Sequence, residues 1–182
     1  ESPKLENTLP GESNSVLDLY ILAYNDSNQF VNASSALKQN LSTYLSQYRM
    51  INDSIKIKDA FIINIGINFE IVVLPNYNSN EVLSGCIRRL QEYFNVENMQ
   101  INKPILINEL YTILSTCDSV KGVQNIKSIE IVNKVGESLG YSKYAYDVIG
   151  ATQSGVVYPS QDPSIFEVKF PNTDIKGRVV PL

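Results

Sequence analysis

The stretch Phe61–Leu74, FIINIGINFEIVVL, decides the fold of this 182-residue chain. Phe61, Ile63, Ile65, Ile67, Phe69, Ile71 and Val73 put an apolar residue at every odd position. The even positions, Ile62, Asn64, Gly66, Asn68, Glu70, Val72 and Leu74, are polar only in the middle. Side chains that alternate with a period of two belong to a strand, and here one face is buried along the whole length. At ~3.3 Å per residue such a strand spans about 45 Å, well beyond the usual length. It is therefore expected to bend at Gly66 or to project beyond its sheet.

Upstream, Leu17, Leu19, Ile21 and Ala23 alternate with Asp18 and two tyrosines, which predicts another half-buried strand. Asn25-Asp26-Ser27-Asn28 ends it as a turn. Ser34 or Ser35 then offers an N-cap for a helix whose stripe is Leu37, Leu41, Tyr44, Leu45 and Tyr48. That stripe is expected to pack on a sheet. Ile55 and Ile57, alternating with Lys56 and Lys58, make a short strand before the long one. Residues 1–15 carry prolines at 3 and 10 and read as an arm or linker.

Downstream, Asn78 with Glu81 has the form of a capping box. It opens a helix with the stripe Val82, Leu83, Cys86, Ile87, Leu90, Tyr93 and Phe94. A third helix follows Pro104, with Ile107, Leu110, Tyr111 and Leu114 on one side. Val120-Lys121-Gly122-Val123 turns into a strand holding Ile129 and Ile131. The order strand, helix, strand pair, helix, short helix, strand predicts an α+β fold. Its expected form is a split β-α-β (ferredoxin-like) sandwich over residues 16–133, with helices on one face of an antiparallel sheet. Residues 134–182 read as loop and a C-terminal β-hairpin, Phe166–Phe170 and Ile175–Val180 around a Pro171–Asp174 turn. A lone hairpin is marginal in water, so it must pack on the domain or on a neighbour.

Composition removes several functions. A net charge of −4 and no cluster of basic residues argue against a nucleic-acid surface. No apolar run reaches the roughly 18 residues of a membrane span. Cys86 reads as a small core residue, and two cysteines make neither a disulfide framework nor a zinc site, with a reducing compartment the default. The chain has no histidine, which removes histidine-based triads, the common zinc sites and the usual neutral-pH base. Glu109, Asp118, Asp162, Glu167 and Asp174 form no spaced pair and read as solvated surface. The glycine-bearing runs 136–140 and 150–155 lack the Gly-Lys-Ser/Thr of a phosphate loop. No catalytic, cofactor or metal site is expected.

Eleven tyrosines remain to be placed. Tyr144, Tyr146 and Tyr158 sit in the tail, with Phe166, Val168 and Phe170 beyond them. They are candidates for a protein interface, because tyrosine combines a large contact area with a polar tip, or else for packing of an irregular segment.

These segments in this order carry a resemblance. The strand Val16–Ala23, the helix Ala36–Arg49, the strand 61–73, Cys86–Phe94 and Val120–Val123 resemble the C-terminal region of baseplate J-like and baseplate wedge proteins of contractile-tailed bacteriophages. Tyr158–Pro163 and Phe166–Phe170 are similar to the tail of structural proteins from marine myoviruses of cyanobacteria. The resemblance implies a virion component of the tail baseplate, assembled in the host cytoplasm and without catalytic activity. Its implied partners are other wedge subunits and copies of itself, with no small-molecule substrate. Family members are much longer chains, so the resemblance implies a C-terminal portion, and a first residue Glu1 in place of methionine agrees. A small-molecule-binding regulatory domain of ferredoxin-like fold is the alternative.

Overall fold

The computed structural model describes residues 15–48, 53–115 and 122–181. The expected arm 1–15 thus lies almost wholly outside the described residues, as do Cys117, Asp118 and Val120-Lys121. Two compact units make up the chain, residues 1–23 with 31–59 and residues 24–30 with 60–182. Their boundary at Asp59/Ala60 falls inside the span 16–133 that the sequence reading takes as one core domain. The fold is mixed α+β, and its sheets are open.

The first unit is a β-α-β element. After strand β1 (Ser15–Ile21) the chain passes through the short pair β2 (Ala23–Tyr24) and β3 (Phe30–Val31), whose residues 24–30 belong to the second unit. Helix α1 (Ser35–Ser46) follows, then β4 (Asp53–Asp59). β1 and β4 pair in parallel in unbroken register, from Ser15 opposite Asp53 to Ile21 opposite Asp59. Parallel neighbours need a crossover, and α1 supplies it. Ser34 is the N-cap, in extended conformation, and its hydroxyl accepts from the Leu37 N–H at 3.2 Å. The Asp59 carboxylate anchors the start of the helix, accepting from the Ala33 N–H and pairing with Lys38.

The second unit is built on β5 (Phe61–Val73), whose odd positions are buried nearly throughout. Helix α2 (Ser79–Tyr93) begins at Asn78, whose side chain accepts from Asn80 N–H, and it buries Val82, Gly85, Cys86 and Leu90. Strand β6 (Ile105–Leu106) leads into α3 (Ile107–Ser115), which buries Leu110 and Leu114. Strand β7 (Val123–Asn133) returns antiparallel to β5, with register shifts opposite Glu70/Ile71 and Val72/Val73. β8 (Thr152–Gln153) and β9 (Val156–Val157) form a tight hairpin that extends β6 into a small three-stranded sheet. Its two-residue turn has Ser154 at φ 51 and Gly155 at φ 78, and turns of that hand match the twist of the flanking strands. Finally come β10 (Ser164–Glu167), a single helical turn α4 (Pro171–Asp174) and β11 (Ile175–Val179).

The tail is not the expected hairpin. β10 and β11 both run parallel to β5, along residues 61–64 and 67–71 in succession. The Phe61 N–H donates to the Pro163 carbonyl and the Ile71 carbonyl accepts from the Val180 N–H, so odd residues of β5 address the tail. The even residues Asn64 and Leu74 bond to Lys134 and Gly122, on the β7 side. One edge of β5 therefore holds β7, and the other holds a single tail strand interrupted by α4. The sheet is mixed rather than antiparallel throughout. Alternation of Phe166, Val168 and Phe170 identifies extended chain but is silent on direction. The length of β5 is absorbed by partners in sequence, with no need for a bend. Helices α2 and α3 pack on this sheet against β11 and β7. Around Gly177 the Phe69 and Leu83 side chains meet, so the odd face of β5 is the helix-covered one.

Candidate functional site

In the first unit the odd residues of β1 and β4, Leu17, Leu19, Ile21, Ile55 and Ile57, share a face with Asp59 and hence with the start of α1. The even residues Asp18, Tyr20, Lys56 and Lys58 share the other. There the Lys58 ammonium donates to Asp18 at 2.7 Å and lies 5.7 Å from the centre of the Tyr20 ring. The hydrogen bond to Asp18 holds Lys58 above the ordinary lysine value. Lys56, one register step away, is exposed.

What distinguishes this unit is how little it covers. Among the described side chains of β1, α1 and β4, not one is buried. Leu17 is 59% exposed, Tyr44 57% and Tyr48 71%, and Val16 and Leu37 are about half exposed. Tyr44 and Tyr48 stack one turn apart with ring centres 5.1 Å apart. α1 was expected to bury its stripe on a sheet. It packs on β4, but a sheet of two strands is narrower than the stripe, and Leu37, Tyr44 and Tyr48 stay in solvent.

The tail candidates of the second unit fare differently. Phe166 and Val168 belong to the core, so they offer no surface. Tyr144 packs edge-on to Phe61 at 4.9 Å, and Tyr146 packs on Phe166 while its hydroxyl donates to the Tyr158 carbonyl. Phe170 meets Tyr141 edge-on at 5.4 Å. Tyr158 alone of the six is well exposed, at 49%. These aromatics chiefly hold the tail to its own unit.

A buried polar network does the same, and here a second expectation is corrected. Glu167 and Asp174, read from sequence as solvated, are 1% and 2% exposed. The Glu167 carboxylate accepts from the Phe30 N–H at 2.7 Å and from the Asn64 amide at 2.6 Å. Asn64 in turn accepts from the Ser142 N–H, and Asn133 accepts from the Tyr146 N–H. Asp174 accepts from the Tyr141 hydroxyl at 2.6 Å and from the Phe170 N–H at 2.9 Å. Burial raises the Glu167 carboxyl above its ordinary value, against the lowering effect of its two donors. The hint available in sequence was position: Asn64 lies within the apolar run 61–74, and Glu167 stands between Phe166 and Val168.

A groove of about 590 Å³ opens beside this network, with Asn28, Gln29, Gln91, Asn95, Phe170 and Asn172 among its lining. Gln29 and Gln91 bridge it, donating to the Lys169 and Pro171 carbonyls. Its walls combine side-chain amides with Glu167 and Lys169, and the Glu167 carboxylate is engaged by the Phe30 N–H and the Asn64 amide. Among the described residues no group of three or more His, Cys, Asp or Glu could hold a metal ion. No described helix is long and apolar enough to cross a membrane. Comparison with the models of known families finds no match, and comparison with curated proteins finds none either.

Proposed function

We propose that this chain is a structural component of a phage tail baseplate, part of a wedge protein, acting through protein–protein contacts in baseplate assembly. The observation that carries the reading is the first unit. A β-α-β element with none of its described side chains buried, and with strand edges that no other described strand pairs, is half of a packing arrangement. The resemblance of the segments from Val16 to Val123 and of the tail supplies the address: the virion, after assembly in the host cytoplasm. The partners are sister copies and other wedge subunits, and the chain carries no catalytic activity. Light scattering across a concentration range, together with mixing against the other wedge subunits, tests it. Mass is expected to rise above that of one chain in at least one of these mixtures. A strict monomer that ignores every wedge subunit would overturn the reading.

The groove favours a second reading, a small-molecule-binding regulatory domain of ferredoxin-like fold. About 590 Å³ falls within the range of ligand pockets. A thermal shift of several degrees with any metabolite, lost on Gln91→Ala, would favour it over the first.

A further inference from the structure

We infer that the free edge of β4 receives β1 of a second copy of this chain, extending the parallel pair head to tail. The inference rests on the reading that the chain works through contacts with other proteins, and it names one such contact. Among the described residues β1 is the only strand partner of β4, and no described strand pairs with the N–H and C=O groups on the other edge of β4.

The kind of strand that fits this edge is already displayed inside the chain. β1 sits against β4 with Asp18 opposite Lys56, Tyr20 opposite Lys58, and Leu17 and Leu19 opposite Ile55 and Ile57. On one face the pairing matches apolar to apolar. On the other it matches a carboxylate to ammonium groups, and the 2.7 Å Asp18–Lys58 bridge shows that they meet.

Charge then selects among the possible partners. Asp18 is the sole charged residue of β1. The middle of β4 is basic, with Lys56 and Lys58, while Asp59 at its end is engaged by Lys38. Lys58 is held by Asp18, whereas Lys56 has no acidic partner among the described residues. Pairing two β4 edges would set lysines against lysines, and pairing two β1 edges about their centre would set Asp18 against Asp18. Only β1 against β4 brings opposite signs together, with Asp18 of the incoming copy beside Lys56. Lysine on an edge discourages indiscriminate strand addition, so the edge favours a strand carrying a carboxylate at the matching position. Because the two edges differ, each added copy leaves a new free β4 edge, and the contact propagates into a ring or an open row.

The test uses the full chain and two probes. Lys56→Glu leaves the Asp18–Lys58 bridge in place but sets a carboxylate opposite Asp18 of its own chain. Hydrogen exchange of the β1–β4 amides in the dilute chain, unchanged from the parent, therefore checks that the pair is kept. The substitution is expected to raise the concentration of half-association by about tenfold or more, and added salt weakens association of the parent chain. A labelled peptide of residues 15–22 is expected to bind the parent chain by fluorescence anisotropy. The same peptide with Asp18→Lys, or the Lys56→Glu chain, is expected to show no binding. Self-association that ignores Lys56→Glu, with no peptide binding, overturns this inference and leaves the broader reading standing. A chain that stays monomeric at every concentration overturns it as well, and if it also ignores the wedge subunits the broader reading falls with it.

Discussion

Asn64 and Glu167 join the Phe30 backbone, β5, β10 and the 133–146 segment through buried and part-buried hydrogen bonds. Asn64→Ala strands both a buried carboxylate oxygen and the Ser142 N–H. It is expected to lower unfolding stability by about 3 kcal/mol, read from the urea midpoint at unchanged slope. The titration of Glu167 has a sign of its own. Burial raises its folded-state value above the ordinary 4.5. The folded chain therefore holds this proton more tightly than the unfolded chain does. The resulting stabilisation is complete below about 4.5 and is lost as pH rises through the raised value. Glu167→Gln cannot follow this change, so the stability of the parent relative to the variant is expected to grow as pH falls from 7 toward 4. A difference that stays flat across that range would contradict it. Tyr141 makes the matching case in alkali. Burial first, and then the Asp174 carboxylate, push its phenol up to about 12. The contribution is complete below about pH 10 and is lost as pH rises through 12. Tyr141→Phe is expected to cost about 2 kcal/mol at neutral pH and to remove this part of the alkaline decline.

At the scale of elements, β11 against α2 is the contact most sensitive to a single methyl group. A Cβ on Gly177 would stand 2.3 Å from Phe69 Cζ and 2.7 Å from Leu83 Cδ1. Phe69 is fully buried and has nowhere to go. Gly177→Ala is expected to cost about 1–3 kcal/mol by thermal unfolding, and the double variant with Phe69→Leu to cost less than the two separately. That clash marks the limit of what the sequence discloses. Period and caps made β5, α2, α3 and the Ser34 and Asn78 starts legible, because each is a local property of a few neighbouring residues. The partner and direction of a strand are not local. Phe166, Val168 and Phe170 alternate in the same way whether the chain turns back or, as here, pauses in α4 and resumes the same edge. Burial of both faces also hid Asn64 and Glu167, since alternation assigns a polar residue to solvent. The β8–β9 hairpin went unread because only Ser154-Gly155 marks it. Of the candidate interface, the uncovered stripe of α1 was visible as apolar residues, but its lack of cover was not.

At the scale of the whole molecule the two units differ in what holds them. β5 and the elements packed on it contain nearly every buried apolar residue, whereas in β1, α1 and β4 the described side chains are at best half-buried. Backbone bonds backed by few buried contacts open at low cost, and opening free energies within one protein range from near zero up to the global value. The dilute chain is therefore expected to show two classes in hydrogen–deuterium exchange. Amides of β5 should be protected to the limit of global unfolding. Those of α1 and of the β1–β4 ladder should exchange orders of magnitude faster, since about 1.4 kcal/mol of opening energy is already tenfold. Raising the concentration, or adding a partner that covers the first unit, should slow exchange in residues 15–59 and leave β5 unchanged. Uniform protection in the dilute chain would mean that β1–α1–β4 needs no covering surface, and the case for that unit as the point of contact would go with it.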